Sequence, residues 1–204
     1  MISARPRLLL ATRNLDKIEE IREALAGLEI DLLTVDELGP LPEVIEDQET
    51  LLGNAVKKAA TLASLSGLLA LADDTGLEVD ALNGAPGVYS SRYSGEGATY
   101  AENVAKLLSD LVGVPSSERT ARFRCVIAIA DARGVETVDG VCEGYILDAP
   151  RGSGGFGYDP VFLVPESGKT FAELTLAEKN RISHRGRALA RMRVVLEKRL
   201  ERGS

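Results

Sequence analysis

The sequence predicts an α/β fold with a mixed central β-sheet flanked by helices, and two observations carry that reading. Single amphipathic helices alternate with apolar strands through the first half of the chain, which favours parallel strands. Later, two long strand-like runs, residues 119–131 and 135–147, follow one another with only a turn at Arg133-Gly134 between them, which favours an antiparallel pair. The length of 204 residues suits one domain, 1–204, and neither an internal repeat nor a linker interrupts it.

The elements follow in order. Residues 7–12 form an apolar run read as a buried strand. Residues 14–26 read as a helix, because Ile18, Ile21, Leu25 and Leu28 recur at near-helical spacing and Gly27 offers a stop. Residues 30–35 read as a second strand. Residues 39–49 carry Pro40, Pro42 and the acids Glu43, Glu46, Asp47 and Glu49, and read as a loop. A helix is expected over 50–66, then a strand over 68–72 that ends at Asp73-Asp74-Thr75-Gly76, and a further strand over 77–82. Glycine and proline punctuate a loop at 83–97. The run 99–112 reads as a helix with Tyr100, Val104, Leu107, Leu108 and Leu111 on one stripe. A glycine-rich loop at 149–160 leads to a short strand at 161–164. Residues 183–201 form a terminal amphipathic helix, with Ser183 as candidate N-cap.

Composition narrows the function. Hydrophobic residues make up 45% and charged residues 27%, which is ordinary globular usage. A net charge of −7 argues against a nucleic-acid polymer as partner, since such binders show a basic field. It leaves room for a small polyanion where local cations or a metal reverse the sign. Cys125 and Cys142 lie in apolar strands at no metal-type or redox-type spacing and read as reduced core residues. No run approaches a membrane span, and residues 1–6 are too short for a signal peptide, so the cytoplasm is the expected compartment.

Two glycine patterns are decoys. Gly152-Ser153-Gly154-Gly155-Phe156-Gly157 has dinucleotide-binding spacing, but Pro150 precedes it and a strand follows, where that motif needs a strand before and a helix after. Gly168-Lys169-Thr170 resembles the end of a P-loop, yet Leu163 stands where its first glycine belongs.

Four segments carry chemistry. Thr12-Arg13-Asn14-Leu15-Asp16-Lys17 lies where a strand becomes a helix, and helix N-termini suit phosphate. Asp73-Asp74 closes an apolar run. Adjacent carboxylates there cost desolvation energy unless compensated, and magnesium held by one or two carboxylates plus substrate phosphates is the usual compensation. Glu46 in the acidic loop is a candidate second ligand. Ser153 to Pro160 holds Phe156 among glycines, where an aromatic face suits stacking on a base, and Asp159 is placed to accept from a base or orient a neighbour. Lys179, Arg181, His184 and Arg185 form a cationic cluster at the start of the last helix, suited to an anion or a base carbonyl; His184 is the one histidine.

Together these segments resemble the inosine triphosphate pyrophosphatase family. The likeness runs from Leu8 to about Leu189 through residues 12–17, 71–95, 154–162 and 178–189. It implies two lobes with the active site in the cleft between them, a homodimer and a magnesium requirement. It also implies roles: Thr12, Asn14 and Lys17 on the triphosphate, with Arg13, Leu15 and Asp16 in the same segment; Asp74 as catalytic base and metal ligand, with Glu46 a second ligand; Thr75 on the substrate; Phe156, Gly157, Tyr158, Asp159, Lys179, His184 and Arg185 on the nucleoside and its phosphate. Thr75 stands where the family often has serine, and Gly53 where it often has an acid.

The implied reaction is hydrolysis of dITP, ITP or XTP to the monophosphate and pyrophosphate by attack of water on the α-phosphorus. Magnesium would neutralise phosphate oxygens and help activate the water, Asp74 would orient or deprotonate it, and Lys17 and Lys179 would stabilise charge on the phosphate chain. The Arg185 guanidinium would pair with the base oxygen that hypoxanthine and xanthine carry and adenine lacks. Two other classes stay open: a pyrophosphatase for modified pyrimidine or other nucleotides, and a non-catalytic nucleotide-binding regulator, which would not need Glu46, Asp73 and Asp74.

Overall fold

In the computed structural model, which describes residues 5–201, strand β1 (Arg7–Leu10) buries Leu8, Leu9 and Leu10 completely. Residues 1–4, within the segment judged too short for a signal peptide, lie outside the described residues. Helix α1 (Leu15–Ala24) follows β1 and leads to β2 (Asp31–Thr34), which lies parallel to β1 with Leu8 opposite Leu32. After α2 (Val35–Leu38), helix α3 (Leu51–Ser66) returns the chain to β3 (Leu69–Val79), parallel to β1 on its other side with Leu8 opposite Leu69. Parallel neighbours need such crossovers.

Strand β4 (Pro86–Gly87) pairs antiparallel with β3. Helix α4 (Tyr100–Asp110) leads to the long strands β5 (Thr120–Asp131) and β6 (Gly134–Ile146), a hairpin turned by Ala132-Arg133. Strands β7 (Phe162–Val164) and β8 (Lys169–Thr170) add antiparallel pairs, and α5 (Leu176–Ile182) and α6 (His184–Glu201) complete the chain. The strands pair in the order β2-β1-β3-β5-β6-β7-β8, with β4 on β3. The expected mixed α/β sheet is thus borne out.

The chain forms two compact units, and β3, β5 and β6 contribute residues to both. The first holds the described residues up to Asp74, Val126–Asp139 and those from Gly186 on. It buries Leu8 to Leu10, Ile18, Ile21, Leu62, Leu71, Ile127, Ile129, Leu189 and Met192. The second holds Thr75–Cys125 and Gly140–Arg185, around Leu77, Leu107, Leu111, Phe123, Tyr158, Phe162 and Phe171. Cys125 and Cys142 are buried and in no disulfide, as expected. Among the described residues no helix is long and apolar enough to cross a membrane.

Two expectations need correction, and one helix is additional to those expected. The break at Asp73 does not occur, because β3 runs unbroken from Leu69 to Val79 through both acids. Tyr100 leaves the apolar stripe of its helix: it is the first helical residue, after the Thr99 N-cap, and is 45% exposed, while Val104, Leu107 and Leu111 are buried. The segment before the terminal helix contains the separate helix α5, begun by a capping box in which Thr175 and Glu178 satisfy each other's backbone N–H groups.

Candidate active site

Asp73 and Asp74 are 1% and 5% exposed. Two adjacent buried carboxylates are tolerated only with counter-charges and donors. Successive residues of a strand point to opposite faces, so the pair takes different partners. Asp73 Oδ2 pairs with Lys17 Nζ of α1 at 3.1 Å. Asp74 accepts from two residues of α3: Lys58 Nζ donates to Oδ1 at 3.1 Å, and Asn54 Nδ2 donates to Oδ2 at 3.2 Å. The same Lys58 ammonium donates to Glu46 Oε1 at 2.7 Å and to the Asp73 carbonyl at 2.6 Å. Glu46 and Asp74, the two expected metal ligands, therefore converge on one ammonium. The loop carrying Glu46 is tied down by the same helix, since the Gln48 N–H donates to Asn54 Oδ1 at 3.0 Å.

Gly53 also has its reason here. A Cβ at this position would meet the Gln48 Cβ at 2.8 Å and Thr50 Oγ1 at 3.2 Å, and Thr50 is the N-cap of α3. The glycine lets the loop close over the start of the helix.

The electrostatics follow from burial and these contacts. Burial pushes Asp74 up, the charges of Lys58 and Lys17 pull it back, and it stays above the ordinary aspartate value. Burial pushes Glu46 up as well, but Lys58, by charge and hydrogen bond, and Lys17 outweigh it and hold Glu46 below its ordinary value. For Lys58, burial is outweighed by Asp74, Asp73 and Glu46, so its ammonium is held more firmly charged than an ordinary lysine.

The donor set fits a hard cation. The groups gathered on Lys58 are two carboxylates and a carbonyl, all oxygen. Among the described residues no group of three His, Cys, Asp or Glu side chains makes a ready cage. Magnesium is usually held by one or two carboxylates plus substrate phosphates, and this pair supplies two.

In α1, the Asn14 side chain accepts from the Lys17 N–H at 3.1 Å, and Thr12 Oγ1 accepts from the Asn14 N–H at 3.2 Å. These caps set Thr12, Asn14 and Lys17 on one turn at the end of β1. Arg13 is engaged elsewhere, donating to Asp36 Oδ1 at 3.2 Å and to the Leu41 carbonyl at 2.9 Å. Leu15 is 78% exposed.

Asp16 lies in the first turn of α1. Thr75 and the expected residues from Phe156 to Arg185 belong to the second unit. Asp159 Oδ2 accepts from both the Phe156 N–H at 2.9 Å and Lys179 Nζ at 2.5 Å, and Asp159 and Lys179 are both buried. Gly155 makes this possible, because a Cβ there would lie 2.2 Å from Asp159 Oδ2. Lys179 Nζ stands 4.6 Å from the centre of the Phe156 ring and the Arg185 guanidinium 5.5 Å from it, both at cation–π range. Arg185, 1% exposed, also donates from Nη2 to Thr75 Oγ1 at 3.1 Å. Tyr100 tilts against the same ring at 5.9 Å. Gly157 has a left-handed φ of 61°. The Tyr158 ring joins the core and its hydroxyl donates to the Ser90 carbonyl at 2.8 Å. The buried His184 ring stacks on Phe123 at 4.5 Å and 12°.

Sequence reasoning missed Lys58, Asn54 and Tyr100. The first two carried a signal. Leu51, Asn54, Ala55, Lys58, Ala59 and Leu62 are all buried on one stripe of α3, and a lysine and an asparagine on an apolar stripe need a polar partner inside.

The chain matches the Ham1 family model over residues 8–195. A dITP/XTP pyrophosphatase of Geobacter sulfurreducens is 57% identical over 185 residues, covering 90% of this chain and 93% of that protein. A dITP/XTP pyrophosphatase of Desulforamulus reducens is 53% identical over 193 residues, covering 94% of this chain and 96% of that protein. The solved structure of a HAM1 protein from Coxiella burnetii superposes with a TM-score of 0.86 at 45% identity, covering 95% of this chain and 99% of that one. With a family model matched over residues 8–195 and relatives similar over nearly the whole length in sequence and fold, the chain belongs to the Ham1 family.

Proposed function

We propose that the chain is a nucleoside-triphosphate pyrophosphatase that hydrolyses dITP, ITP and XTP to the nucleoside monophosphate and pyrophosphate, with magnesium. The observation that carries this reading is the convergence of Glu46 and Asp74 on one cation position beside the Asp73–Lys17 pair. Relatives that bear the name dITP/XTP pyrophosphatase at 53–57% identity support the substrate class.

Asp74 accepts the proton of the attacking water as that water bonds to the α-phosphorus and the bond to the bridging oxygen breaks, releasing pyrophosphate. Its raised proton affinity suits a base. Lys17 and the capped turn at Asn14 hold the phosphates through the ammonium and helix N–H groups. Glu46 and Asp74 would hold magnesium, which supplies charge neutralisation on the phosphate oxygens and acidifies the water. Phe156 stacks on the base, and Arg185 donates to the base oxygen that adenine lacks; guanine carries that oxygen too, so this contact sets apart ATP and not GTP. Lys179 belongs with the base-binding group, because its charge is engaged by Asp159. The chain acts as a cytoplasmic homodimer on free nucleotides; sedimentation at monomer mass alone would contradict the dimer.

The decisive assay is release of pyrophosphate from dITP, ITP, XTP, ATP and GTP, with and without Mg²⁺. The expected result is turnover of the first three only, and only with the ion. Equal turnover of ATP and GTP, or release of orthophosphate in place of pyrophosphate, refutes the reading.

Two side-chain tests follow. Lys17→Met takes a cation from the phosphates and the counter-charge from Asp73. A lost charged contact costs about 1.5–3 kcal/mol, so kcat/KM for ITP is expected to drop roughly 10- to 100-fold. Unchanged kcat/KM would remove Lys17 from the site. Phe156→Ala is expected to lose about 1–3 kcal/mol of binding for every purine, the worth of one stacked base. It also removes the ring under Arg185 and Lys179, so the ITP-to-ATP ratio of kcat/KM should narrow, as in Arg185→Lys. An unchanged ratio in Phe156→Ala would show that the Phe156 ring does not orient Arg185.

A further inference from the structure

The Lys58 ammonium has three N–H donors, and three oxygens take them: Glu46 Oε1 at 2.7 Å, the Asp73 carbonyl at 2.6 Å and Asp74 Oδ1 at 3.1 Å. Its donor capacity is filled, and two of the three acceptors are the carboxylates proposed to hold the divalent ion. We infer that Lys58 is a resident cation that occupies Glu46 and Asp74 in the nucleotide-free enzyme and keeps them from taking a divalent ion until the phosphates of the substrate draw its ammonium away. The inference rests on the pyrophosphatase reading and deepens it.

Three physical points support it. A magnesium-sized ion sits about 2.1 Å from each oxygen it binds. An ammonium donating to those same oxygens would then lie close to it, with like charges in a mostly buried site where water screens little. The two cations therefore compete for one position. Second, Lys58 can yield without disturbing the fold. Its base lies in a rigid sixteen-residue helix capped by Thr50 and Gly67, but its ammonium ends a flexible four-carbon stem. The Asp73 carbonyl, fixed in mid-strand, retains it near the site. Third, Lys58 donates hydrogen bonds to both Glu46 and Asp74, whereas Lys17 pairs with the Asp73 carboxylate and acts on the other two through its charge. A phosphate chain offers Lys58 charged oxygens of the kind it gives up. The consequence is an order of events: Lys58 yields its carboxylates as the nucleotide arrives, and free metal alone finds the position taken.

The test measures Mn²⁺ binding to nucleotide-free protein by calorimetry and by electron paramagnetic resonance. Wild type is expected to hold Mn²⁺ weakly. Lys58→Met and Lys58→Gln are each expected to hold it about tenfold tighter or more, since a like charge has left the site. Adding Glu46→Gln to Lys58→Met should remove the gain. Lys57→Met, whose ammonium pairs with the exposed Asp47, should behave as wild type. If the two Lys58 variants, with native circular dichroism, bind Mn²⁺ no tighter than wild type, the inference is overturned. Tight stoichiometric Mn²⁺ binding by the nucleotide-free wild type overturns it with no variant at all. Pyrophosphate release by the same wild-type preparation in Mg²⁺ tests the pyrophosphatase reading separately, whichever way the Mn²⁺ measurements come out.

Discussion

Asp74→Asn is expected to abolish turnover while the protein stays folded. The substitution keeps the shape and removes the charge that a base and a metal ligand need. Loss of a positioned general base costs about 10²- to 10⁴-fold, and loss of the ligand adds to it. The local hydrogen bonds add a second signature. Asp74 accepts on both oxygens, from Lys58 and from Asn54. An asparagine has one acceptor and one donor, so either way round it sets an NH₂ against a donor. Asn54 cannot turn to help, because its own oxygen accepts from the Gln48 N–H. One such mismatch costs about 1–3 kcal/mol, which in a chain of this size lowers Tm by roughly 2–10 °C. Near-normal kcat in a folded variant would remove Asp74 from the chemistry. Asp73→Asn is expected to lose less rate, since Asp73 is turned to Lys17 and its carbonyl contact with Lys58 survives.

The local grammar of the fold was legible in the sequence. Asn14, Thr50 and Thr99 each cap the helix they precede, and Gly27 and Gly67 follow helix ends with left-handed φ. The failures came where tertiary partners override local signals. Asp73-Asp74 reads as the end of a strand only if its charges must reach water. Lys17 and Lys58, remote in sequence, meet those charges inside, and β3 continues. Lys58 sits beside Lys57 and passes for a solvated lysine until Asn54 one turn earlier is noticed on the same stripe. In the second unit, the glycines around Phe156 suggest, from sequence, a ring free of crowding. Gly155 instead makes room for the Asp159 carboxylate, which no local pattern announces. Helix α5 was within reach, because Thr175 and Glu178 have capping-box spacing.

Asp159→Asn is expected to cost more stability than Asp74→Asn and to weaken nucleoside binding at the same time. One oxygen of Asp159 takes both the Phe156 N–H and the Lys179 ammonium, and both side chains of the ion pair are 4% exposed. Removing one charge of such a pair leaves the other charge buried and uncompensated, a loss of about 3–5 kcal/mol. Tm should fall by roughly 10 °C or more. Phe156, no longer held through its backbone and flanked by a displaced Lys179, should present its ring less often, so KM should rise for ITP and ATP alike. The double variant Asp159→Asn with Lys179→Met separates the two effects. Replacing both members of a buried pair by neutral groups is often close to neutral for stability. The second change should therefore restore much of the Tm but leave KM high, because the cation beside the base is gone. If Asp159→Asn alone melts like wild type, the pair does not hold the loop, and the role given to Asp159 fails. If the double variant recovers KM along with Tm, Lys179 takes no part in binding the nucleoside and serves only to neutralise Asp159.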